Sequence, residues 1–571
     1  MSFDSLTRRG ALMGAGGLAL ASCTKAEVRH EPLPVPPGPF KHGVASGDPD
    51  QTSLVVWTAV TEPIEGEPVT LEMAGDAAFS TIVHSEALSP AGPAADSPAT
   101  GRAVPYKALV TGLQAGTAYH YRFRHAGEVS PAGTTRTLPE GPVERFNIAA
   151  FSCSNYPAGF FNAYRAAADR DDVDLVVHLG DYIYEYAMGG YGTDRAERLS
   201  RLPDPMHEIV TVEDYARRHA LYCLDPDLQA LKAKAPWIAV WDDHETANDA
   251  HRTGAENHDF GEGNWTDRRD AALEAYYAWL PARRPEPAEA RYGAVRIGDL
   301  ATLLLVETRL LARTESLDWS SFPVAPGADP DDPAIARAVE RWLAETVGDE
   351  RRELLGAAQL SFVGDMLARS RAAGQPWRVF VNQVLMGRKT MPDYTTQTPL
   401  WLRLALRFKG GQVWETAQRS RFGVPMTLDD WDGFPAERER LYEAAKRADA
   451  DFLVLTGDSH NFWCNDLHDA SGERRGTEFG VTSVTSPSEF EYVNAPGVDF
   501  GQMTVDANPE VLRHEVYKKG YVHLTLTREA AEAEFVAVST IESREFTTST
   551  DSRWRVAAST GGPANPVERL A

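Results

Sequence analysis

The chain has 571 residues, 43% hydrophobic and 24% charged, the composition of a globular protein with room for several cores. Its 57 Lys and Arg stand against 82 Asp and Glu, a net charge of −25 that no basic run offsets. Such a surface repels nucleic-acid phosphates and anionic membranes, which excludes a specific nucleic-acid partner and admits a phosphate compound only where metal ions draw it in.

The N-terminus reads as an export signal. Arg8-Arg9 precede a modest apolar run from Leu12 to Ala21 and then Cys23, a run too short to span a bilayer. Twin arginines point to the Tat translocase, which carries folded proteins and so suits a cofactor loaded before export. Leu20-Ala21-Ser22-Cys23 fits a lipobox, in which acylated Cys23 tethers the mature chain to a membrane; the alternative is a plain cleaved signal with a chance cysteine. Residues 1–23 are therefore assigned to the signal. The expected location is periplasmic, lipid-anchored at the outer membrane, or secreted. With Cys23 spent on lipid, Cys153, Cys223 and Cys464 remain, an odd number that makes no disulfide scaffold.

Residues 24–38 are rich in proline and charge and read as a linker. From 39 to 142, short alternating runs such as TSLVVWTAV and PVTLEMAG between Gly, Pro and Asp turns predict a small β-sandwich. In LQAGTAYHYRF, the spacing predicts a fibronectin-like corner, with Leu113 inward and Tyr119 bonding back across the turn. From 143 to 571 the rhythm changes. Apolar runs of strand length (FNIAAF, DLVVHL, WIAVW, ATLLLV, WRVFV, DFLVLT) are interspersed with amphipathic stretches such as FFNAYRAAADR, DRRDAALEAYYAWL and AERERLYEAAKRA. Strands buried on both faces with intervening helices predict a layered α/β domain.

The residues just after each apolar run carry the chemistry. FNIAAF leads to Ser152-Cys153-Ser154-Asn155, and DLVVHL to Gly180-Asp181 with Tyr184 three residues on. WIAVW leads to Asp242-Asp243-His244-Glu245, WRVFV to Asn382-Gln383, and DFLVLT to Gly457-Asp458-Ser459-His460-Asn461. Ligands of α/β sheets sit at the carboxyl ends of strands. Singly, each feature has a structural reading as helix cap, packed aromatic or small buried thiol; together they predict a metal site. Phenolate, carboxylate and thiolate on one ion suit Fe(3+) better than zinc or magnesium. The surplus carboxylates suit a hard divalent ion such as Ca(2+).

The array SCSN, GDYIYEY, WDDHE, NQV and GDSHNFW resembles the family D alkaline phosphatases (PhoD type), a branch of the calcineurin-like metallophosphoesterases. FKHGVASGDP, EGNWTDRRDAALEAYYAWLP and TSVTSPSEF extend the likeness over nearly the whole mature chain. The resemblance implies a four-layer α/β/β/α catalytic domain behind the small sandwich. It also implies that Cys153, Asp181 and Tyr184 bind iron, with Asp181 bridging to calcium. Asp243 falls where related phosphoesterases carry a metal-binding amide, and Asp458 and His460 where they carry paired histidines. Asn382 occupies another ligand-bearing strand end, while Asn155, Asp242 and Asn248 are expected behind the ligands. Glu307 stands in VETRL where the family is expected to have an aspartate, keeping the charge.

The expected activity is hydrolysis of phosphomonoesters or phosphodiesters for extracytoplasmic phosphate release. A metal-bound hydroxide attacks in line, and His244 protonates the leaving alkoxide or holds a phosphate oxygen; its alternative role is bonding only to Asp243 or backbone. His178, inside its strand, is expected in the core. Tyr156 and Trp463 shape the pocket or pack the core. The competing classes are a non-catalytic metal-stabilised binding lipoprotein, against which His244 and Asn155 argue, and another hydrolase such as an amidase, for which no G-x-S-x-G elbow is present.

Overall fold

The computed structural model describes residues 29–30, 38–493 and 495–571. The signal, Cys23 and most of the 24–38 segment lie outside the described residues. Arg29–His30, within that segment, pairs antiparallel with Phe546 and Thr547, so the stretch before the sandwich touches the far edge of the main sheet.

In chain order, the elements that build the frame begin with β1 (Val44–Gly47), β2 (Leu54–Thr61) and β3 (Gly101–Val110). They form one face of the N-terminal sandwich. Its other face is a smaller sheet that includes Val69–Ala74 and Ala118–His125. Leu113 is buried and the Tyr119 hydroxyl accepts from Gln114 N at 2.9 Å, closing the corner as its spacing predicts.

The strands β4 (Arg145–Phe151), β5 (Leu175–His178) and β6 (Trp237–Ala239) run parallel, and each ends in one of the motif loops. β7 (Ala301–Leu305), β8 (Trp377–Val381) and β9 (Phe452–Thr456) form a second parallel set in a separate seven-stranded sheet. β10 (Lys519–Thr527) returns to pair antiparallel with β4.

Alternation along these strands explains the layering. Ile148, Ala150 and Val177 of the first sheet meet Leu303, Val379 and Leu453 of the second in one core. Their neighbours Ala149, Phe151 and Val176 face the other way, onto Tyr164 and Tyr276 of the covering helices. Leu304, Phe380 and Val454 pack likewise against Val363, Leu367 and Leu441. Period-two side chains with both faces buried yield the α/β/β/α stack.

The sandwich is not a separate bead. A parallel pairing of Gly47 with Trp237 carries the first sheet straight from β6 into β1, giving twelve strands among the described residues. The bidentate pair of Arg291 with Asp48 (2.6 and 2.7 Å) and the Trp57 indole donating to the Ala278 carbonyl at 2.9 Å lock the junction. No helix among the described residues is long and apolar enough to cross a membrane. Cys153, Cys223 and Cys464 are buried free thiols.

Candidate metal centre

The motif loops leave their strands by sharp turns. Cys153, Asp181, Asp458 and His460 take φ of 59°, 55°, 63° and 60°, a left-handed conformation that costs a side-chain-bearing residue about 1–3 kcal/mol and collects at functional sites. Gly180 (φ 106°) is required by proximity: a Cβ there would lie 2.4 Å from the Asp242 Cβ. The loops are then pinned to one another. Cys153 N donates to the Gly180 carbonyl at 3.2 Å, and Ser154 N to the Asp181 carbonyl at 2.8 Å. Glu245 accepts from the backbone of Asp181 (3.1 Å), Asp242 (2.8 Å) and Tyr182 (2.6 Å), stapling two loops with one carboxylate.

Within this frame, donor atoms of Cys153, Asp181 and His460 come within 4.8 Å of one another. The Tyr184 hydroxyl donates to Asp181 Oδ2 at 2.8 Å and lies 3.2 Å from His460 Nε2. His460 Nδ1 faces the Pro487 carbonyl at 2.9 Å, which fixes the proton there and turns the Nε2 lone pair inward. Burial pushes the Cys153 thiol, the Asp181 carboxyl and the Tyr184 phenol well above their ordinary ranges, and pushes His460 down to about 3. All four thus favour neutrality in a protein-only environment, the preference a bound cation reverses. Asp181 Oδ1 is buried without a hydrogen-bond partner. A mixed sulfur, oxygen and nitrogen donor set around an orphaned carboxylate oxygen fits a metal ion.

Asp181 also belongs to a second group with Asp243 and His244, and Asp242, Asp243 and Asp458 form a third. Behind them lies a fully buried guanidinium. Arg309 bonds Asp242 through Nε and Asp429 at 2.7 Å, and its remaining nitrogen stands 3.7 Å from both Asp243 and Asp458. That nitrogen and Asp242 Oδ2 lack hydrogen-bond partners. Burial works against the charge of Asp243, but Arg309, His244 and the Asp249 amide hold its carboxyl well below the usual range. His244 is oriented by Glu185, 2.7 Å from Nδ1, whose other oxygen accepts from Asn248 N and Asn257 Nδ2, each at 2.8 Å. Burial opposes an imidazolium here, and Glu185, Asp243 and Asp181 together outweigh it, pushing the ring well above the ordinary imidazole range.

The remaining expected residues are placed less centrally. Asn155 is buried beside Tyr191, with its amide oxygen unpartnered. The Asn248 amide donates to Glu256 at 3.1 Å. Asn382 spends its amide locally, donating to the Val384 carbonyl at 2.5 Å and accepting from the Trp431 indole at 3.4 Å. His178 sits in the core, 2.9 Å from the Tyr164 hydroxyl and stacked on Trp237. Trp463 stacks on His514, and Tyr156 lies under Arg201.

Glu185, Glu245, Arg309, Asp249, Asp429, Tyr191 and Ser486 are additional. Ser486 Oγ lies 2.7 Å from the Tyr184 hydroxyl, and the Tyr191 hydroxyl 3.0 Å from His460 Nδ1. Glu185 and Glu245 stand inside quoted motifs, where an acid four residues after Asp181 and one beside His244 are the readable signal. Glu307 takes no part in the cluster: it accepts from the Trp241 indole and from the amides of Arg309, Leu310 and Leu311, fixing the turn that presents Arg309.

The chain matches the family model of the PhoD-like phosphatases over residues 148–535 and that of their N-terminal domain over 26–139. Alkaline phosphatase D of Bacillus subtilis (strain 168) is 29% identical over 563 residues, covering 93% of this chain and 84% of that protein. A solved structure of PhoD is similar with a TM-score of 0.69 at 26% identity, covering 93% of this chain and 92% of the other. The strand-end carboxylates, the thiol and the phenol thus belong to a phosphoric ester hydrolase, and the chain is a member of the PhoD-like phosphatase family.

Proposed function

We propose that this protein is an exported phosphoesterase with a mixed iron and calcium centre. Cys153, Asp181, Tyr184 and His460 would hold Fe(3+); Asp243 and Asp458 would hold Ca(2+), with Asp181 shared. The observation that carries this reading is the membership of Asp181 in two donor groups at once, one oxygen free of hydrogen bonds. The chemistry that bound cations supply there is water acidified toward hydroxide for in-line attack at phosphorus, together with neutralisation of the non-bridging oxygens.

The chain's own groups have distinct tasks. His244, oriented by Glu185 at 2.7 Å, would donate to the departing alkoxide. Arg309 keeps four carboxylates in one small volume and holds an open donor toward them. Residues 39–142 serve as the accessory sandwich and 143–571 as the catalytic domain. Arg8-Arg9 would direct Tat export, and acylated Cys23 would tether the chain outside the cytoplasm. Palmitate labelling and fractionation of wild type against Cys23→Ser checks the tether: equal labelling overturns it.

The central test is elemental analysis of the exported protein purified without chelator. Iron near one per chain, calcium in excess of iron and a visible charge-transfer band support the assignment. Zinc alone overturns the roles of Cys153 and Tyr184, and absence of tightly bound metal overturns the catalytic reading. Turnover of matched phosphomonoesters and phosphodiesters on the same preparation then fixes the preferred ester.

A further inference from the structure

Four large exposed apolar side chains stand together on one helix. Helix α1 (Leu400–Lys409) buries Leu402 and Leu406 against Phe490 and Phe500. Its other side is open: Leu400 is 64% exposed, Trp401 48%, Leu404 48% and Phe408 90%. Positions 400, 404 and 408 recur every four residues, and with 401 they occupy an arc of about 100° on a helix of 3.6 residues per turn. Arg403 and Arg407 fall on one flank of that arc and Lys409 on the other. Among the described residues neither Arg407 nor Lys409 has an ion-pair partner. No acid occurs between Asp393 and Glu415, whereas the chain as a whole carries −25.

We propose that α1 is an interfacial helix that seats the protein on an anionic lipid surface. A Trp, a Phe and two Leu on an exposed stripe, with Arg and Lys at its margins, match the chemistry of the headgroup boundary: rings and aliphatic groups enter, and long cationic side chains reach anionic headgroups. Charge decides between a membrane and a protein partner. The rest of the surface is repelled by anionic lipid, so this cationic patch is the part that can approach, and the repulsion fixes the orientation of docking.

The helix also packs on the segment that follows Ser486. Leu406 and Lys409 line a cavity of about 280 Å³ together with Glu489, Phe490 and Tyr492. Those three come a few positions after Ser486, which touches Tyr184. The inference concerns attachment and is independent of the metal assignments.

The test uses the full chain with Cys23→Ser, so that no acyl group contributes, sedimented with phosphatidylcholine vesicles with and without phosphatidylglycerol. Hydrolysis of soluble p-nitrophenyl phosphate is followed in parallel. The expected result is binding to the anionic vesicles only, weakened by salt. Phe408→Glu with Leu404→Glu should lower the partition at least tenfold while soluble turnover and melting temperature stay unchanged. Arg407→Glu with Lys409→Glu should lower it selectively for anionic vesicles. Equal partition of the parent and the Phe408→Glu, Leu404→Glu variant overturns the proposal. So does a parent that is dimeric without vesicles and becomes monomeric in that variant, which would assign the face to a second copy of this chain. Failure of soluble turnover in every form would count against the phosphatase reading and leave the vesicle result intact.

Discussion

Two buried acidic clusters show what separates support from chemistry. In the first, Asp225 caps the helix Pro226–Lys234 and is bonded by Arg201 at 2.7 Å and Arg544 at 3.1 Å, while Asp227 pairs with the same Arg544. Two acids meet two guanidiniums. In the second, Asp242, Asp243 and Asp458 crowd around Arg309, and Asp181 joins Asp243 and His244 beside them. Buried charge is tolerated when paired and costly when it is not. The first cluster gives each acid a guanidinium, whereas the second crowds four acids about one and leaves Asp181 Oδ1 and Asp242 Oδ2 buried without hydrogen-bond partners. The deficit, rather than the acids themselves, marks the site.

That contrast can be broken most severely at Asp181. Asp181→Asn should remove metal from both donor groups and abolish ester hydrolysis; retention of both metals at full rate would refute the shared-ligand assignment. Elemental analysis and turnover on one preparation decide it. The balanced cluster should respond in the opposite way. Arg201→Met leaves Asp225 short of a partner and should cost about 3–5 kcal/mol of stability, measured by denaturant unfolding. Metal content and kcat of the folded fraction should not change; loss of iron in this variant would erase the distinction between the clusters.

A smaller effect sharpens the role of the group behind His244. Glu185→Gln keeps the volume and removes the charge that orients the imidazole and raises its pKa, so kcat should fall about 10–100-fold with KM little altered. An unchanged kcat would return His244 to a structural role. The smallest effect concerns a third, balanced site. Burial opposes the charge of Asp551, but hydrogen bonds from Arg513 and Lys518 lower its carboxyl to about 2. A folded-state value below the unfolded one gives stability that is present above pH about 4 and is lost as pH falls through about 2. Asp551→Asn should flatten that acid limb of the melting curve by about 1 kcal/mol, since Lys518 is half exposed and screened.

Much of this was legible in the residues. Apolar runs of strand length became strands with both faces covered, and the polar residues after them converged because parallel strands share a carboxyl edge. Cys153, Asp181, Tyr184, Asp243, Asp458 and His460 therefore met as their positions predict. The neutralising partners were not legible. Arg309 meets Asp429 across 120 positions and Asp242 across 67, and no local period encodes such meetings. Asn382 also stands at a strand end, yet its neighbours Val384 and Trp431 consume its amide, a competition visible only in three dimensions. The continuity of the sandwich with the main sheet rests on the pairing of Gly47 with Trp237, which alternation of side chains does not reveal.

The sheet order also has a temporal meaning. β4, which carries Cys153 at its end, lies between β5 and β10, and β10 begins at residue 519. β6, which leads to Asp242, is flanked by β1 from the opposite end of the chain. Strands from early and late in the sequence thus enclose those that aim the ligands. Until residues 519–527 emerge, β4 has an open edge, and an open edge recruits other strands. Contacts this distant in sequence form slowly. A ribosome-bound chain consequently presents a half-built sheet, and the strand that aims Cys153 gains its second neighbour only after residues 519–527 are made.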